Sequence, residues 1–512
     1  MLVPFEIKNF DGGIADDTRN AAPNEFAYAT QFDIYSKLHR LIPYRDMENE
    51  AGAITVYAIK SVCLFTDSAG TQAFFALGNV SGQTYPQFLE KTTVGGTFAT
   101  STTGAGAAGV VLAHTIIGYK SQNKLYCMKT NGGNTIVDSY DPAANTYVST
   151  VGTITGTSST GIYPAPFRHP QDDIVYFGAG NVVASLNATT FTAAAITLPK
   201  GFTITSFTDF GVYLAITCAP LDQGGKSVCF LWGRDTSLTT VEEVVDLGEG
   251  AAMIGENVGG IIIFVSSVSQ IAGSAVDIAP KISFRVYSGG IARNVKEIQW
   301  TGTGTPTTLL KNFKAKKDDY LFFACKQFIE NKTVNQLWVC GRNKRGQFFV
   351  SPDRLINNDT ALTGNVDGFS IIGDFLWAGY NGDGSLKRTD DSTNYTATAA
   401  IETPIINSGD SLKKKDFKGV TVYTEPMPTA GQIVVKYRVD AETSYTTIFT
   451  HTTDNSTGHS AINIESSGAI LPTHNELQLR IESTGAAVIT GIKGLCEVKE
   501  TDIYNIPQGS PE

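Results

Sequence analysis

Asp173-Ile174-Val175-Tyr176-Phe177-Gly178 leads from a polar turn residue into a short apolar run carrying aromatics, and six other stretches repeat the device. They are Gln72-Ala73-Phe74-Phe75-Ala76-Leu77-Gly78, Lys124-Leu125-Tyr126-Cys127-Met128, Phe210-Gly211-Val212-Tyr213-Leu214-Ala215-Ile216, Gly260-Ile261-Ile262-Ile263-Phe264-Val265, Asp319-Tyr320-Leu321-Phe322-Phe323-Ala324 and Gly373-Asp374-Phe375-Leu376-Trp377-Ala378-Gly379. Short runs rich in Val, Ile, Tyr and Phe, bounded by Gly, Asn, Asp and Ser, read as β-strands. Helical periodicity is almost absent. From Phe74 to Leu376 the six intervals average about 50 residues, within roughly 37 to 59. The repeat is degenerate, with unequal loop insertions.

A repeat of that length made of strands predicts a β-propeller. Radial repetition lets each four-stranded blade bury both faces against its neighbours and leaves only short edges exposed. Gly132-Gly133, followed by Asp138-Ser139-Tyr140-Asp141-Pro142-Ala143-Ala144-Asn145-Thr146-Tyr147, resembles one blade of the kelch family: paired glycines, a strand ending in an Asp-Pro turn, then an aromatic. The expected fold is all-β, a propeller of about seven blades with six or eight left open. The seven apolar runs are expected among its inner strands.

With 512 residues the chain exceeds one typical domain. Hydrophobic residues reach 42% and charged residues only 17%, the reverse of a disordered chain. The 39 Lys and Arg against 49 Asp and Glu leave a net charge of -10, which excludes a protein built mainly to grip nucleic-acid phosphates. No apolar run approaches the roughly 18 residues of a membrane helix. The start, Met1-Leu2-Val3-Pro4-Phe5-Glu6, has neither a basic nor an apolar leader region. A soluble chain made in the cytoplasm, with no membrane insertion of its own, is expected.

The expected divisions are an N-terminal arm over 1–51, the propeller over 52–404, a connector over 405–416, an antiparallel β-sandwich over 417–500 and a tail over 501–512. The arm scatters its apolar residues between turn signals at Gly12-Gly13, Asn20, Pro23 and Pro43. It reads as mostly extended, and supplying a strand that closes the propeller ring is one use for it. Beyond the Lys-rich connector, Gln432-Ile433-Val434-Val435-Lys436-Tyr437-Arg438-Val439 puts Ile433, Val435, Tyr437 and Val439 on one face and Lys436 and Arg438 on the other. Glu476-Leu477-Gln478-Leu479-Arg480-Ile481 repeats the alternation. One dry and one wet face suit a small sandwich.

The search for chemistry assigns no catalytic, cofactor-binding or metal-ligating residues. Gly104-Ala105-Gly106-Ala107-Ala108-Gly109 spells a dinucleotide fingerprint but precedes the β-like Val110-Val111-Leu112 instead of a helix. Gly225-Lys226-Ser227 ends like a phosphate loop whose first glycine is replaced by Pro220, so a hairpin turn explains it better. Asn381-Gly382-Asp383-Gly384-Ser385 begins like a calcium loop, but Leu386 stands at the obligatory glycine and Ser392 at the bidentate Glu. The histidines (His39, His114, His169, His451, His459, His474) lack zinc-ligand spacing, and His451 with His459 is the pair that could meet across a hairpin. Glu242 and Glu243 are adjacent, so on a strand they point apart. Arg342-Asn343-Lys344-Arg345-Gly346 reads as a solvated basic turn in preference to a phosphate contact. Carboxylates converging from different blades stay open as a glycosidase arrangement.

The opening segment carries a further resemblance. Phe10-Asp11-Gly12-Gly13-Ile14, then Pro23 and Glu25, Phe32-Asp33-Ile34-Tyr35 and Leu41-Ile42-Pro43-Tyr44-Arg45, resembles the start of the tail-nozzle and tail-hub propeller proteins of short-tailed bacteriophages. Residues 395–404, the Lys-rich connector and Asp416-Phe417-Lys418-Gly419-Val420 resemble the junction of such propellers with an appended sandwich. The family's basic pair at the end of the opening motif is here the single Arg45. The resemblance implies a non-enzymatic virion protein of the phage tail, assembled in the host bacterial cytoplasm. It implies a homohexameric ring below the portal and adaptor, with tail fibre or tip proteins as further partners. DNA would pass through without specific binding, and no cofactor is implied. A glycan-binding receptor protein using the sandwich is the alternative, and a polysaccharide-cleaving propeller enzyme comes third.

The cysteines, Cys63, Cys127, Cys218, Cys229, Cys325, Cys340 and Cys496, are odd in number and never spaced Cys-x-x-Cys. Most lie in apolar strand-like runs, where the side chain serves as a small buried hydrophobe. A reducing compartment keeps them all as thiols. Thiol counting under denaturing, non-reducing conditions should return 7 free groups; a reproducible shortfall of one pair or more would overturn this.

Overall fold

Seven antiparallel sheets follow one another along the described part of the chain. Blade 1 is Val56–Thr66, Gln72–Val80, Pro86–Lys91 and Ala99–Thr103. Blade 2 has a first strand in two pieces, Val110–Val111 and Ile117–Tyr119, then Lys124–Asn131, Asn134–Asp141 and Thr146–Ile154. Blade 3 is Phe167–Arg168, Val175–Ala179, Val182–Asn187 and Thr190–Thr197; blade 4 is Phe202–Phe210, Tyr213–Pro220, Lys226–Trp232 and Glu243–Glu249. Blade 5 is Ala251–Val258, Ile261–Val268, Lys281–Tyr287 and Arg293–Gln299; blade 6 is Leu310–Lys317, Tyr320–Ile329, Lys332–Arg342 and Phe348–Leu355. Blade 7 is Val366–Ile372, Phe375–Tyr380 and Leu386–Thr389, and its fourth strand comes from the arm as Met47–Asn49. The chain contains a β-propeller. This computed structural model describes residues 2–499 except 16–20, 23, 38, 51–55, 81–85, 94–95, 104–108, 223–224, 236–239, 269–280, 300–309, 330–331, 356–365, 381–385, 390–394, 396–397, 408–412, 441, 453–458 and 464–471. Among these residues no helix is long and apolar enough to cross a membrane.

Each of the seven apolar runs falls on the second strand of a blade, not on the innermost one. The first strands are innermost, and those of blades 4, 5, 6, 7, 1 and 2 pack against one another in turn. The reason for the difference is burial. A second strand has a partner on either edge and a blade on either face, so Val175–Ala179 and the stretch Ile261 to Val265 are buried at every position. In each of blades 1 to 5 the pairing of third with fourth strand shifts register once. Such bulges twist the outer edge and blunt it against pairing with another chain. In blade 2 the kelch-like residues make its turns: Gly132 and Gly133 take positive φ, and the Asp141 carboxylate accepts from the N–H groups of Ala143 and Ala144, both at 3.1 Å.

The chain divides into two compact units. The propeller unit is Met47–Arg342 with Leu355–Asp391, and the other is Met1–Asp46, Asn343–Arg354 and Ser392–Glu512. The second unit holds the sandwich. One sheet runs Leu2–Ile7, Ile489–Val498, Lys415–Thr424, His459–Asn463; the other runs Thr446–His451, Gln432–Val439, Leu477–Thr484, Ala399–Glu402, Tyr28–Thr30. Ile433, Val435, Val439, Leu477, Leu479 and Ile481 are buried between them, as the alternation requires. The outward face carries ion pairs, Lys436 to Glu482 at 2.8 Å and Arg480 to Glu402 at 3.1 Å.

The expected divisions therefore differ from the observed ones. The arm gives both sandwich sheets an edge strand, residues 47–50 join the propeller, and Ala399–Glu402 pairs within the sandwich. These pairings join residues far apart along the chain, most of them by hundreds of positions, and local composition carries no trace of them. The tail 501–512, residues 396–397 of the 395–404 junction and residues 408–412 of the connector lie outside the described residues.

Within the second unit the arm also packs on residues 343–354. Gly13, at φ 77, lies so close to the Val350 backbone that any side chain would collide with it, and a Cβ on Gly12 would come within 2.8 Å of Asn24. The Tyr44 hydroxyl donates to the buried Asp353 carboxylate and lies 3.1 Å from the Tyr35 hydroxyl, while the Arg354 guanidinium stands 3.8 Å over the Tyr44 ring. Burial pushes the Asp353 carboxyl up, and Arg354 at 3.0 Å opposes that shift.

Leu321, on the second strand of blade 6, is 0% exposed. Leu321→Asp should prevent folding, because an unpaired carboxylate there costs several kcal/mol or more. Soluble Leu321→Asp protein with a native circular dichroism spectrum and melting profile would contradict the blade assignment.

Candidate functional site

A propeller has to be closed, and here three residues of arm do it. Met47, Glu48 and Asn49 pair with Thr389, Arg388 and Lys387 of blade 7. Such a short strand supplies few hydrogen bonds, and the next residue, Glu50, adds the rest. It donates its N–H to the Leu386 carbonyl at 2.8 Å and sends its side chain into the interior, fully buried. One carboxylate oxygen accepts from Lys91, at the end of the third strand of blade 1; the other accepts from Arg388 Nε at 2.6 Å. Arg388 also pairs with Glu48. Lys91 is 1% exposed, with its ammonium 4.5 Å from the Trp377 ring centre and 4.7 Å from that of Phe98. Burial pulls the Lys91 pKa down, and Glu50 works against that pull. The cluster ties the arm strand to the first and last blades at once.

A second tie lies on the axis. Lys314, on the first strand of blade 6, reaches Glu256 of blade 5 at 2.5 Å and donates to the carbonyls of Phe207 (2.5 Å) and Gly255 (2.6 Å), so one ammonium joins blades 4, 5 and 6. Across from it, residues 112–116 interrupt the first strand of blade 2. His114, at φ 58, donates its N–H to the Lys60 carbonyl of blade 1 at 2.7 Å. Its ring lies 5.5 Å from that of Phe313 in blade 6 and 6.1 Å from that of Phe369 in blade 7.

The motifs weighed in the sequence end as local structure. Lys226 pairs with Asp246 at 3.0 Å on neighbouring strands, and the Ser227 hydroxyl donates to the Gly250 carbonyl, as in a hairpin. Glu242 accepts from the Gly233 N–H at 2.6 Å and Glu243 from the Tyr287 hydroxyl at 2.9 Å. His451 and His459 sit on strands of opposite sandwich sheets and so do not meet across a hairpin. The basic tip is a solvated turn, with Arg342, Lys344 and Arg345 exposed, and it is anchored by Asn343, which is 7% exposed and donates to the Asp11 carbonyl at 3.0 Å, with Arg345 3.6 Å from the Asp11 carboxylate. Residues 104–108 and 381–385 lie outside the described residues. No group of three or more His, Cys, Asp or Glu that could hold a metal occurs among the described residues. All seven cysteines are free, and burial pushes the Cys63 thiol up to about 12. Sequence reasoning gave no role to Glu50, Lys91, Arg388 or Lys314 and weighed His114 only as a zinc ligand; no local pattern marks them.

No family model matches the chain, and no curated protein matches it. Solved structures similar to it include the N-terminal domain of Nup159, 12% identical, covering 74% of this chain and 98% of that one with a TM-score of 0.40. A chain of a mitotic checkpoint complex is 12% identical and covers 68% of this chain and 96% of that one, with a TM-score of 0.40. An exo-beta-1,3-galactanase from Phanerochaete chrysosporium is 10% identical and covers 86% of this chain and all of that one, with a TM-score of 0.29. Likeness at this level concerns general shape and carries no activity.

Glu50→Gln should destabilise the propeller by about 3–5 kcal/mol, because it strands the buried Lys91 charge. Denaturant unfolding followed by tryptophan fluorescence would read this, with Trp377 beside the cluster as reporter. Adding Lys91→Met to the same chain should recover a good part of the loss, since the stranded charge is then gone. No recovery would show that Lys91 is not the source of the penalty.

Proposed function

We propose that this chain is a structural, non-enzymatic subunit of a bacteriophage tail, a nozzle or hub whose copies form a ring around the DNA exit channel below the portal and adaptor. The reading rests on the opening segment. Several residues that carry the resemblance, Asp11, Gly13, Tyr35 and Tyr44 among them, pack on residues 343–354 of their own unit, and the segment leads in sequence to the strand that closes the ring. A wall past which a stiff polyanion moves needs rigidity and no basic lining. The buried closure suits the first need, and a net charge of -10 suits the second. Ring assembly follows when each copy offers two different patches to its neighbours and the rotation closes. Blunted blade edges leave side-chain surfaces, not strand pairing, to make those contacts. The partners of this reading are further copies of the chain, portal and adaptor proteins, and tail fibre or tip proteins; assembly takes place in the host bacterial cytoplasm.

Mass photometry and negative-stain imaging of the purified protein should show hexameric rings, and immunogold labelling should mark the tail end of virions. A glycan array and a polysaccharide-depolymerisation assay test the two rivals. A stable monomer that binds a glycan, or one that shortens a polysaccharide, would replace the structural reading, and absence of the protein from virions would end it.

A further inference from the structure

The axis of the propeller is where the chain departs most from its own repeat. In blade 2 the first strand stops at Val111 and resumes at Ile117, and the residues between them are spent on crossing the central opening. Blade 2 adjoins blades 1 and 3, so a blade 2 residue that touches blades 1, 6 and 7 together can do so only through the middle of the ring. His114 makes those three contacts: the Lys60 carbonyl, the Phe313 ring and the Phe369 ring. The excursion is anchored at both ends. Leu112 donates its N–H to the Met128 carbonyl at 3.0 Å, the Thr115 hydroxyl donates to the Leu112 carbonyl at 2.8 Å, and the Ile116 N–H reaches the Ser61 hydroxyl at 3.3 Å. The tip residue is held in the left-handed region, which for a non-glycine costs of order 1 kcal/mol and persists only where surroundings enforce it.

We propose that residues 112–116 form a plug in the propeller's axial passage, with the neutral His114 imidazole as its latch and protonation of that ring as its release. The ring is wedged between two phenyl rings, and its Nδ1 is shut away from solvent with no hydrogen-bond partner. A second proton would place a full charge there with no acceptor at that nitrogen to receive it. Among the described side chains, the charged groups facing the ring offer no compensation. From blade 6 comes Lys314, of like charge, and the carboxylate nearest to it, Glu256 of blade 5, is already bound to that lysine. From blade 1, Lys60 contributes its carbonyl. The plug's own residues, Leu112, Ala113, Thr115 and Ile116, include no other titratable group. In line with this, burial above all, joined by the Lys314 charge and opposed by a hydrogen bond with the Lys314 backbone, pulls the His114 pKa down to about 4. With the folded value below the unfolded one, the closed plug is favoured above pH ~6.5 and loses that preference as pH falls toward about 4. This inference stands apart from the tail reading and holds for any role the propeller has.

Hydrogen–deuterium exchange of the full chain, corrected for the intrinsic rate at each pH, tests it. Between pH 7 and about pH 4.5, peptides covering 110–119 should lose protection by about tenfold or more, while peptides covering Ile261 to Val265 keep theirs. His114→Asn, which tolerates the left-handed backbone and cannot be protonated, should keep 110–119 protected to the same degree at both pH values. His114→Gln serves the same purpose if the Asn chain is not native at pH 7. Equal loss in the two wild-type regions, or the same pH response in the unprotonatable variant, would overturn the latch.

Discussion

Three buried charges, Glu50, Lys91 and Arg388, hold the ring shut. A propeller is a sheet array bent until its ends meet, and the seam is the place where sequence-local pairing runs out. In this chain the seam is filled by a strand of three residues, too short to fix its own register by ladder hydrogen bonds. The carboxylate of Glu50 supplies the missing constraint, since it engages blade 1 through Lys91 and blade 7 through Arg388 in one geometry. Buried ion pairs are poor sources of net stability, because desolvation consumes most of the attraction. Their value lies in the arrangements they forbid. A slip of the arm by one residue would leave one carboxylate and two cations buried without partners. Trp377, Phe74 and Phe98 around Lys91 sharpen the penalty by excluding water, and their ring faces offset part of it.

The same constraint explains why the arm is ordered before it reaches the seam. Fixing an extended segment costs roughly 1–2 kcal/mol per residue in backbone entropy. The arm meets that cost in instalments: the strand Leu2–Ile7 in one sandwich sheet, Tyr28–Thr30 in the other, a short pairing of Phe32–Asp33 with Ile42–Pro43, and the Tyr35, Tyr44, Asp353 and Arg354 cluster. Its glycines are placed by contact, Gly12 against Asn24 and Gly13 against Val350. Most of these anchors lie on residues distant in sequence, so the arm has little structure to gain before its partners have folded.

Lys314 and His114 do at the centre what Glu50 does at the seam. Lys314 ties blade 6 to blades 4 and 5, His114 ties blade 2 to blades 1, 6 and 7, and each does so with a polar side chain. Their surroundings differ. The Lys314 ammonium is met by a carboxylate and two carbonyls, so its charge is fully used. The His114 ring is held for its shape and neutrality, and its position is only as secure as its protonation state.

The repeat was legible in the sequence because a blade's second strand is buried on both faces, which leaves an unbroken apolar run such as Ile261 to Val265 that no turn or edge strand can imitate. The alternation in Gln432–Val439 likewise announced one dry face, since a strand's side chains must point to opposite sides. Local turns were legible for the same reason: Gly132, Gly133 and Asp141 act on their immediate neighbours. Tertiary structure alone decided the pairings that cross hundreds of residues. Nothing local in Ala-Ala-Ile-Glu at 399–402 says sandwich, and nothing in Met-Glu-Asn at 47–49 says blade 7. Glu50, Lys91 and Arg388 read as three ordinary charges until the ring brings them together, because the sequence records which residues are charged but not the low-dielectric interior that makes those charges decisive.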